Sequence, residues 1–288
     1  MTAAEIDFRV ATPHEAEMLL GGALLTPTLS ALVARERSVL TIADGEPAAL
    51  AIYTCDEIAV EIQAIAVARE ARGVGIARAT VEFLRGTEGR VVRALVSTAP
   101  SELAPMYGVL GSLGASYFGY SISLPTAESL ARELDVTAAI AARPIQLVAD
   151  LNDLLELDAL AGRPRDRALH HSLQAYAQGL LFSRPDGESA AYLYVSPDGA
   201  IGPGAAASAA MLGDAILYAF ARLRSIGRDL ARLRVPAASG RLTHLLRRCG
   251  GSIVESSVLL GDATEARAPG LPLCGMLRGE PAGRSSAW

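Results

Sequence analysis

The apolar, β-branched run from Ile58 to Val67 leads through a short polar turn into Arg72-Gly73-Val74-Gly75-Ile76-Ala77, and an amphipathic helix follows from Arg78 to Arg85. A strand that enters a glycine turn at a helix N-terminus points to an α/β class of fold. It also builds an anion site. The turn's N–H groups converge where the helix dipole favours negative charge. Glycines let the backbone approach a phosphate closely and take φ values that side chains forbid. Residues 72–77 are therefore expected to hold a phosphate-bearing ligand.

Spacing narrows the ligand. A dinucleotide turn needs G-x-G-x-x-G, but Arg78 stands where the third glycine would be, and the region about twenty residues on reads Arg90-Val91-Val92-Arg93, with no acidic residue. A P-loop needs a lysine, and the chain has none. The segment instead resembles the pyrophosphate loop of the GNAT acetyltransferase superfamily, [Q/R]-x-x-G-x-[G/A]. Arg72, Gly75 and Ala77 fill that motif, and Gly73 matches its frequent R-G-x-G form. The resemblance implies that Ala64-Ile65-Ala66-Val67 is the fourth strand, pairing with the pantetheine arm of acetyl-CoA. It implies a cofactor-binding set of Ile65, Ala66, Val67, Arg72, Gly73, Val74, Gly75, Ile76 and Ala77. The N–H groups of Ala66 and Val67 would polarise the thioester carbonyl beside a bulge in the strand.

The rest of the chain repeats one rhythm. Residues 1–135 alternate as β-α-α-β-β-β-α-β-α-β, with Thr12-Pro13-His14-Glu15 as a helix start and Asp44-Gly45 as a hairpin turn. That is the order of the GNAT fold. Residues 140–262 repeat it: helices at 151–160 and 166–178, strands at 180–183 and 190–195, a short strand beginning at 200–202, a helix at 211–223, a strand at 230–235, a helix at 241–248 and a strand at 252–260. A repeat on this scale suggests duplication. The expected fold is α/β (α+β): two tandem GNAT-like domains, each a mixed, mostly antiparallel sheet flanked by helices. In the second, Gly202-Pro203-Gly204-Ala205-Ala206-Ala207 stands where the anion loop belongs, without an arginine and with proline where a donor is wanted. That half reads as degenerate and substrate-shaping; an unrelated α/β domain is the alternative. Residues 263–288 form a Gly- and Pro-rich, partly mobile tail.

Composition restricts the setting. Across 288 residues, 51% hydrophobic and 20% charged content leaves ample core. No apolar stretch reaches the roughly 20 residues that span a bilayer, and MTAAEIDFRV lacks a signal-peptide core. Cys55, Cys249 and Cys274 lack CxxC spacing, so reduced thiols and a cytoplasmic location are expected. His14, His170, His171 and His244 make no metal pattern. Net charge is −5, and all 26 basic residues are arginine, as a GC-rich bacterial genome would dictate. The run Arg163–Arg167 reads as solvated surface, and no basic stripe suits a nucleic acid. A monomer or homodimer is expected.

Acyl transfer to an amine needs a base, a stabilised oxyanion and a reprotonated thiolate, with acid–base help contributing about 10²–10⁴-fold. Glu61 is the base candidate. It lies fourteen residues before Gly75, the separation found in histone-acetylating members of the superfamily, and in an apolar strand where partial burial suits proton transfer near neutral pH. Period-2 alternation could instead turn it to solvent. Glu57 is the reserve. Met106-Tyr107-Gly108-Val109-Leu110-Gly111 resembles the superfamily's fourth-helix signature, in which the tyrosine faces the CoA sulfur. A phenol, ordinarily titrating at roughly 10, can protonate a leaving thiolate. Tyr107 is thus the acid candidate, with a plain core tyrosine as the alternative; Pro100 replaces the asparagine that often precedes it by seven residues. Cys55 has no nearby histidine and reads as inert packing. The expected activity is N-acetyl transfer from acetyl-CoA to a primary amine of a small molecule, without a metal. Alternatives are a non-catalytic acyl-CoA-binding protein and other thioester chemistry.

Overall fold

The computed structural model describes residues 5–21, 24–55, 59–88, 90–111, 113–126, 129, 141–163, 165–261 and 271–273. The first half runs β1 (Ile6–Arg9), α1 (Pro13–Leu20), α2 (Pro27–Val33), β2 (Ser38–Ala43), β3 (Glu46–Cys55), β4 (Ala59–Val67), α3 (Ile76–Glu88), β5 (Val91–Ser97), α4 (Pro100–Leu110) and β6 (Leu113–Ser123). This is the expected order. The start of α1 is a capping box: Thr12 Oγ1 accepts from Glu15 N–H while the Glu15 carboxylate takes the Thr12 N–H at 2.8 Å.

The second half runs β7 (Ala141–Pro144), α5 (Leu147–Leu160), α6 (Arg167–Gln174), β8 (Gln178–Ser183), β9 (Ser189–Val195), β10 (Ala200–Ala206), α7 (Ala209–Ser225), β11 (Leu230–Pro236), α8 (Gly240–Arg248), β12 (Gly251–Gly261) and β13 (Leu271–Leu273). Three elements depart from expectation, the last being β13, a strand within the stretch 263–288 that was expected as a partly mobile tail. β7 is four residues ending in proline, too short for a period-2 signal. β10 continues through Ala206 where a degenerate loop was expected.

A local device marks the repeat. In the first half Arg9 from β1 holds Glu15 in the first turn of α1, with Nη1 to Oε2 at 2.9 Å. In the second, Arg143 from β7 grips Asp150 in the first turn of α5 through two bonds of 2.7 and 2.6 Å. Each carboxylate also sits at a helix N-terminus, where the dipole favours it.

All the strands form one 13-stranded sheet, ordered β1-β2-β3-β4-β5-β12-β6-β11-β10-β9-β8-β7, with β13 beside β10. Pairing each strand of the first half with the one six places later reverses this order, so the halves are related by a pseudo-twofold axis between β12 and β6. Each half gives its last strand to the other. β12 pairs antiparallel with β5 from Ser257 opposite Ser97 to Gly261 opposite Arg93, and β6 pairs with β11 from Leu230 opposite Ser123 to Pro236 opposite Tyr117. The exchange gives β5 and β11 inner neighbours and leaves no open edge at the junction. The expected boundary at 135–140 lies outside the described residues; β6 and β12 join the halves in space.

Strand alternation sends side chains to two faces. Leu50 and Ile52 face a core shared by both halves, built with Leu29 and Leu32 of α2, Leu154 of α5, Leu169 of α6 and Tyr192 of β9. On the other face Val81 and Leu84 of α3, with Met106 and Leu110 of α4, cover β4 and β5. There α7 and α8 cover the second half with Ile216, Phe220, Leu242 and Leu246. Each such side chain contributes about 1.5–3 kcal/mol. Arg37 and Asp166, 3.0 Å apart, and the hydroxyls of Thr28 and Tyr176 tie the halves together on the shared face. No helix among the described residues is long and apolar enough to cross a membrane.

Candidate active site

Strand β4 leaves the sheet at Val67, and a 3₁₀ turn at Arg69–Ala71 carries the chain outward. Arg72 is extended, with φ −74° and ψ 147°, and its Nε donates to the Val67 carbonyl at 3.2 Å. Gly73 and Gly75 have φ of +79° and +91°, which side chains disfavour. A Cβ at either glycine would meet no atom within 4 Å, so the turn opens outward. Val74 is 72% exposed, while Ile76 is buried against Ala48 and Ala49 and anchors the helix start. The Gly75 carbonyl accepts from Ala79 N–H at 3.0 Å, so Gly75 caps α3. Among the described residues none is recorded as accepting from the N–H groups of Gly73 to Ala77. These are the donors that a helix start leaves unspent.

Beside this turn the sheet parts. β4 and β5 run parallel and pair from Ala59 opposite Val91 to Ile62 opposite Ala94, and no further. The parting begins at a bulge: Ile52 faces Ala64 and Tyr53 faces Ile62, leaving Gln63 as the extra residue of β4. Ala68 N–H donates to the Ala48 carbonyl at 2.9 Å, and antiparallel alternation then turns the peptide of Ala66 toward β3. The peptides of Ile65 and Val67 face the gap. Of the two expected polarising donors, Val67 therefore faces the gap and Ala66 does not.

The equivalent place in the second half is closed. β10 and β11 pair through Ala200 opposite Arg232 and Ile201 opposite Leu233. Beyond them β13 lies antiparallel on β10, with Gly204 opposite Leu273 and Ala206 opposite Leu271. Ala207 and Ser208 alone link β10 to α7, and the Ser208 hydroxyl takes the Met211 N–H at 3.3 Å. Of the segment at 202–207, expected as a degenerate loop, residues 202–206 are thus buried strand running almost directly into a capped helix.

Glu61 is 6% exposed, so the solvent-facing alternative falls. Its Oε1 receives Arg163 from the second half and Gln63 Nε2 at 3.2 Å, and its Oε2 lies 3.6 Å from Arg93 Nε. Arg93 also donates to the Gly162 carbonyl at 2.6 Å, and the Arg163 guanidinium stands 5.8 Å from the centre of the Tyr117 ring. Tyr107 is 49% exposed on α4 between buried Met106 and Leu110, which removes the core-tyrosine alternative. Arg78 of α3 donates to the Gly108 carbonyl at 2.8 Å, holding α4 beside the start of α3. Glu57 and Cys274 lie outside the described residues. Cys55 is buried on β3.

The arginine run at 163–167, expected on the surface, sends two members inward: Arg163 and Arg165 are 4% and 5% exposed. Arg165 Nη1 donates to Asp158 Oδ1 at 2.8 Å, Tyr192 Oη at 2.9 Å and the Gly204 carbonyl at 2.8 Å. His170 spans Asp158 Oδ2 at 3.0 Å and Tyr194 Oη at 3.1 Å. Burial pushes both phenols up, so they stay protonated. Among the described residues, no group of three His, Cys, Asp or Glu could hold a metal ion. Nothing in the sequence singled out Arg93, Arg163 or Tyr117, because Arg163 meets Glu61 across 102 residues of chain.

No family model matches the sequence. No curated protein matches it either. Solved structures do share its fold. A candidate acetyltransferase of Pyrococcus horikoshii superposes with a TM-score of 0.61 at 16% identity, over 92% of this chain and 92% of the other. A tandem GNAT protein from the clavulanic acid biosynthesis pathway gives 0.52 at 13% identity, over 88% of this chain and 97% of that one. The N-myristoyltransferase of Saccharomyces cerevisiae, solved with bound myristoyl-CoA, gives 0.53 at 10% identity, over 88% and 82%. This chain has the fold of GNAT proteins in its tandem arrangement.

Proposed function

We propose that this chain, folded as a tandem GNAT protein, transfers an acetyl group from acetyl-CoA to a primary amine of a small molecule, using its first half. The observation that carries this reading is the gap between β4 and β5, which ends at the exposed turn Arg72–Gly75 and the start of α3. A pantetheine arm carries amides that need a strand edge, and Ile65 and Val67 present one. A pyrophosphate needs converging N–H donors and a cation, and Gly73–Ala77 with Arg72 supply them. A thioester placed between the two has its carbonyl beside the Val67 N–H.

In this reading Glu61 accepts the proton of the attacking amine. Tyr107, on the helix packed beside the start of α3, returns a proton to the departing CoA thiolate. The second half binds no second cofactor, because its gap is filled and its turn is missing.

Acetyl-CoA should raise the melting temperature, and thiol release across a panel of primary amines should show turnover with at least one of them. Absence of any shift would remove the cofactor assignment. The engagement of Glu61 by two arginines favours one other reading, a protein that binds acyl-CoA without turning it over. A thermal shift with no thiol release from any amine selects it.

A further inference from the structure

We infer that Arg163, contributed by the second half, is a positioning residue for Glu61 in the first half's acyl transfer. The inference rests on the reading of Glu61 as the base.

The connector between α5 and α6 places the arginine. Arg163 N–H donates to the Asp158 carbonyl at 3.0 Å, and Arg165 N–H donates to the Arg163 carbonyl at 3.0 Å, so the backbone there is pinned. Two residues apart, the side chains diverge. Arg165 turns into its own half, onto Asp158, Tyr192 and the Gly204 carbonyl. Arg163 crosses to the other half, onto Glu61 of β4 and over Tyr117 of β6. Arg93 of β5 makes the return link by donating to the Gly162 carbonyl. The groups around the Glu61 carboxylate are thus Gln63 of its own strand, Arg93 of β5 and Arg163.

Stability is a poor reason for this arrangement. A buried ion pair costs desolvation that its attraction only roughly offsets, and apolar replacements are often neutral. The shared core and the exchanged strands already hold the halves together. What a two-sided grip on a carboxylate does achieve is geometry. Gln63 occupies the bulge at which β4 leaves β5, so the hydrogen bond from Gln63 to Glu61 links the carboxylate to the edge of the gap. Arg163 holds the same oxygen atom from the opposite half. A proton acceptor must be fixed within hydrogen-bond reach of its target, and small misplacements are costly.

The test compares Arg163→Met, Arg163→Lys, Glu61→Gln and the Arg163→Met/Glu61→Gln pair in the full chain. Thiol release from acetyl-CoA is followed with the best amine of the panel, alongside melting temperature with and without acetyl-CoA. Arg163→Met should lower kcat about 10- to 100-fold, a fraction of the 10²–10⁴ that general base catalysis supplies. KM for acetyl-CoA and the acetyl-CoA-induced shift should stay within about twofold. Arg163→Lys should recover part of kcat, and adding Arg163→Met to Glu61→Gln should cost little more, since both act through one group. Should Arg163→Met fail to fold, Arg163→Lys and Arg163→Gln provide the same contrast. Wild-type kcat in Arg163→Met, or fully additive losses in the pair, would overturn the inference while acyl transfer stands. Acetyl-CoA binding without thiol release in the wild type would defeat the functional reading, and the inference with it.

Discussion

The two halves solve the same structural problem in opposite ways. In each, a parallel pair of strands parts after a few residues, at Ile62 and Ala94 in the first half and at Ile201 and Leu233 in the second. A parted strand exposes peptide groups that need partners. Among the described residues the first half puts no strand into its gap, and it ends the gap in a glycine turn whose amides meet no backbone acceptor. The second half fills the gap with β13 and shortens the turn to Ala207 and Ser208. One order of helices and strands can therefore leave a strand edge unpaired or close it, by what lies along that edge and how long the next turn is.

The largest effect expected from this contrast concerns the glycine turn. Gly75→Glu places a side chain where φ is +91° and a negative charge beside the phosphates. It should abolish the acetyl-CoA-induced melting shift, which corresponds to about 2.7 kcal/mol at a ligand concentration of 100 Kd. Equal shifts in both proteins would place the cofactor elsewhere. Structures with CoA should show one cofactor per chain along residues 65–80, and density against residues 200–212 would break the contrast outright.

Next in size is Tyr107→Phe, which keeps the ring and removes the hydroxyl. It should lower kcat about 10²-fold with acetyl-CoA affinity nearly unchanged. Unaltered turnover would remove the acid role.

A chain ending at Gly261 lacks β13 and sharpens the comparison from the other side. Losing three ladder pairs should cost about 2–4 kcal/mol at roughly 1 kcal/mol per hydrogen bond. The amides of Gly204 and Ala206, which alternation turns toward β13, should exchange faster with solvent, while acetyl-CoA stoichiometry stays at one. A second molecule bound after truncation would mean that the tail, and not the missing turn, excludes the cofactor.

The smallest effect belongs to the device that the halves share. The hydrogen bond from Arg9, with the Thr12 N–H, lowers Glu15 from its usual 4.5 to about 2, and the hydrogen bond from Arg143 holds the Asp150 carboxyl below the usual aspartate range. A carboxylate depressed in the folded state stabilises it above the unfolded value, and that contribution disappears as pH falls through the folded one. Acid melting should therefore lose part of its slope between about pH 4.5 and 2 in Glu15→Gln, and below the usual aspartate range in Asp150→Asn. The Asp150 side chain, 4% exposed, should show the larger change, and Glu15, at 15%, the smaller. Identical acid curves for wild type and both variants would deny the repeated pair any role in stability.

The legible parts of this protein are those whose signals act over a few residues. The capping box at Thr12 and Glu15, the hairpin at Asp44-Gly45, the strand at 59–67 and the glycine turn at 72–75 each follow from local sterics and hydrogen bonding. They sufficed to order the first half and to locate its donor-rich turn. The burial of Arg163 and Arg165 was not legible, since an arginine run looks the same whether its partners lie in water or in another part of the chain. The exchange of β6 and β12 was equally hidden, because a period-2 pattern states that a strand has a buried face and not which strand lies beside it. Sequence alone determined the elements and the donor-rich turn, through backbone preferences that each residue carries with it. Tertiary structure decided which edges were joined, that β13 would close one gap and leave the other open, and that Glu61 would meet an arginine from the far half. Those outcomes depend on pairings across about 65 residues or more, and no local preference encodes them.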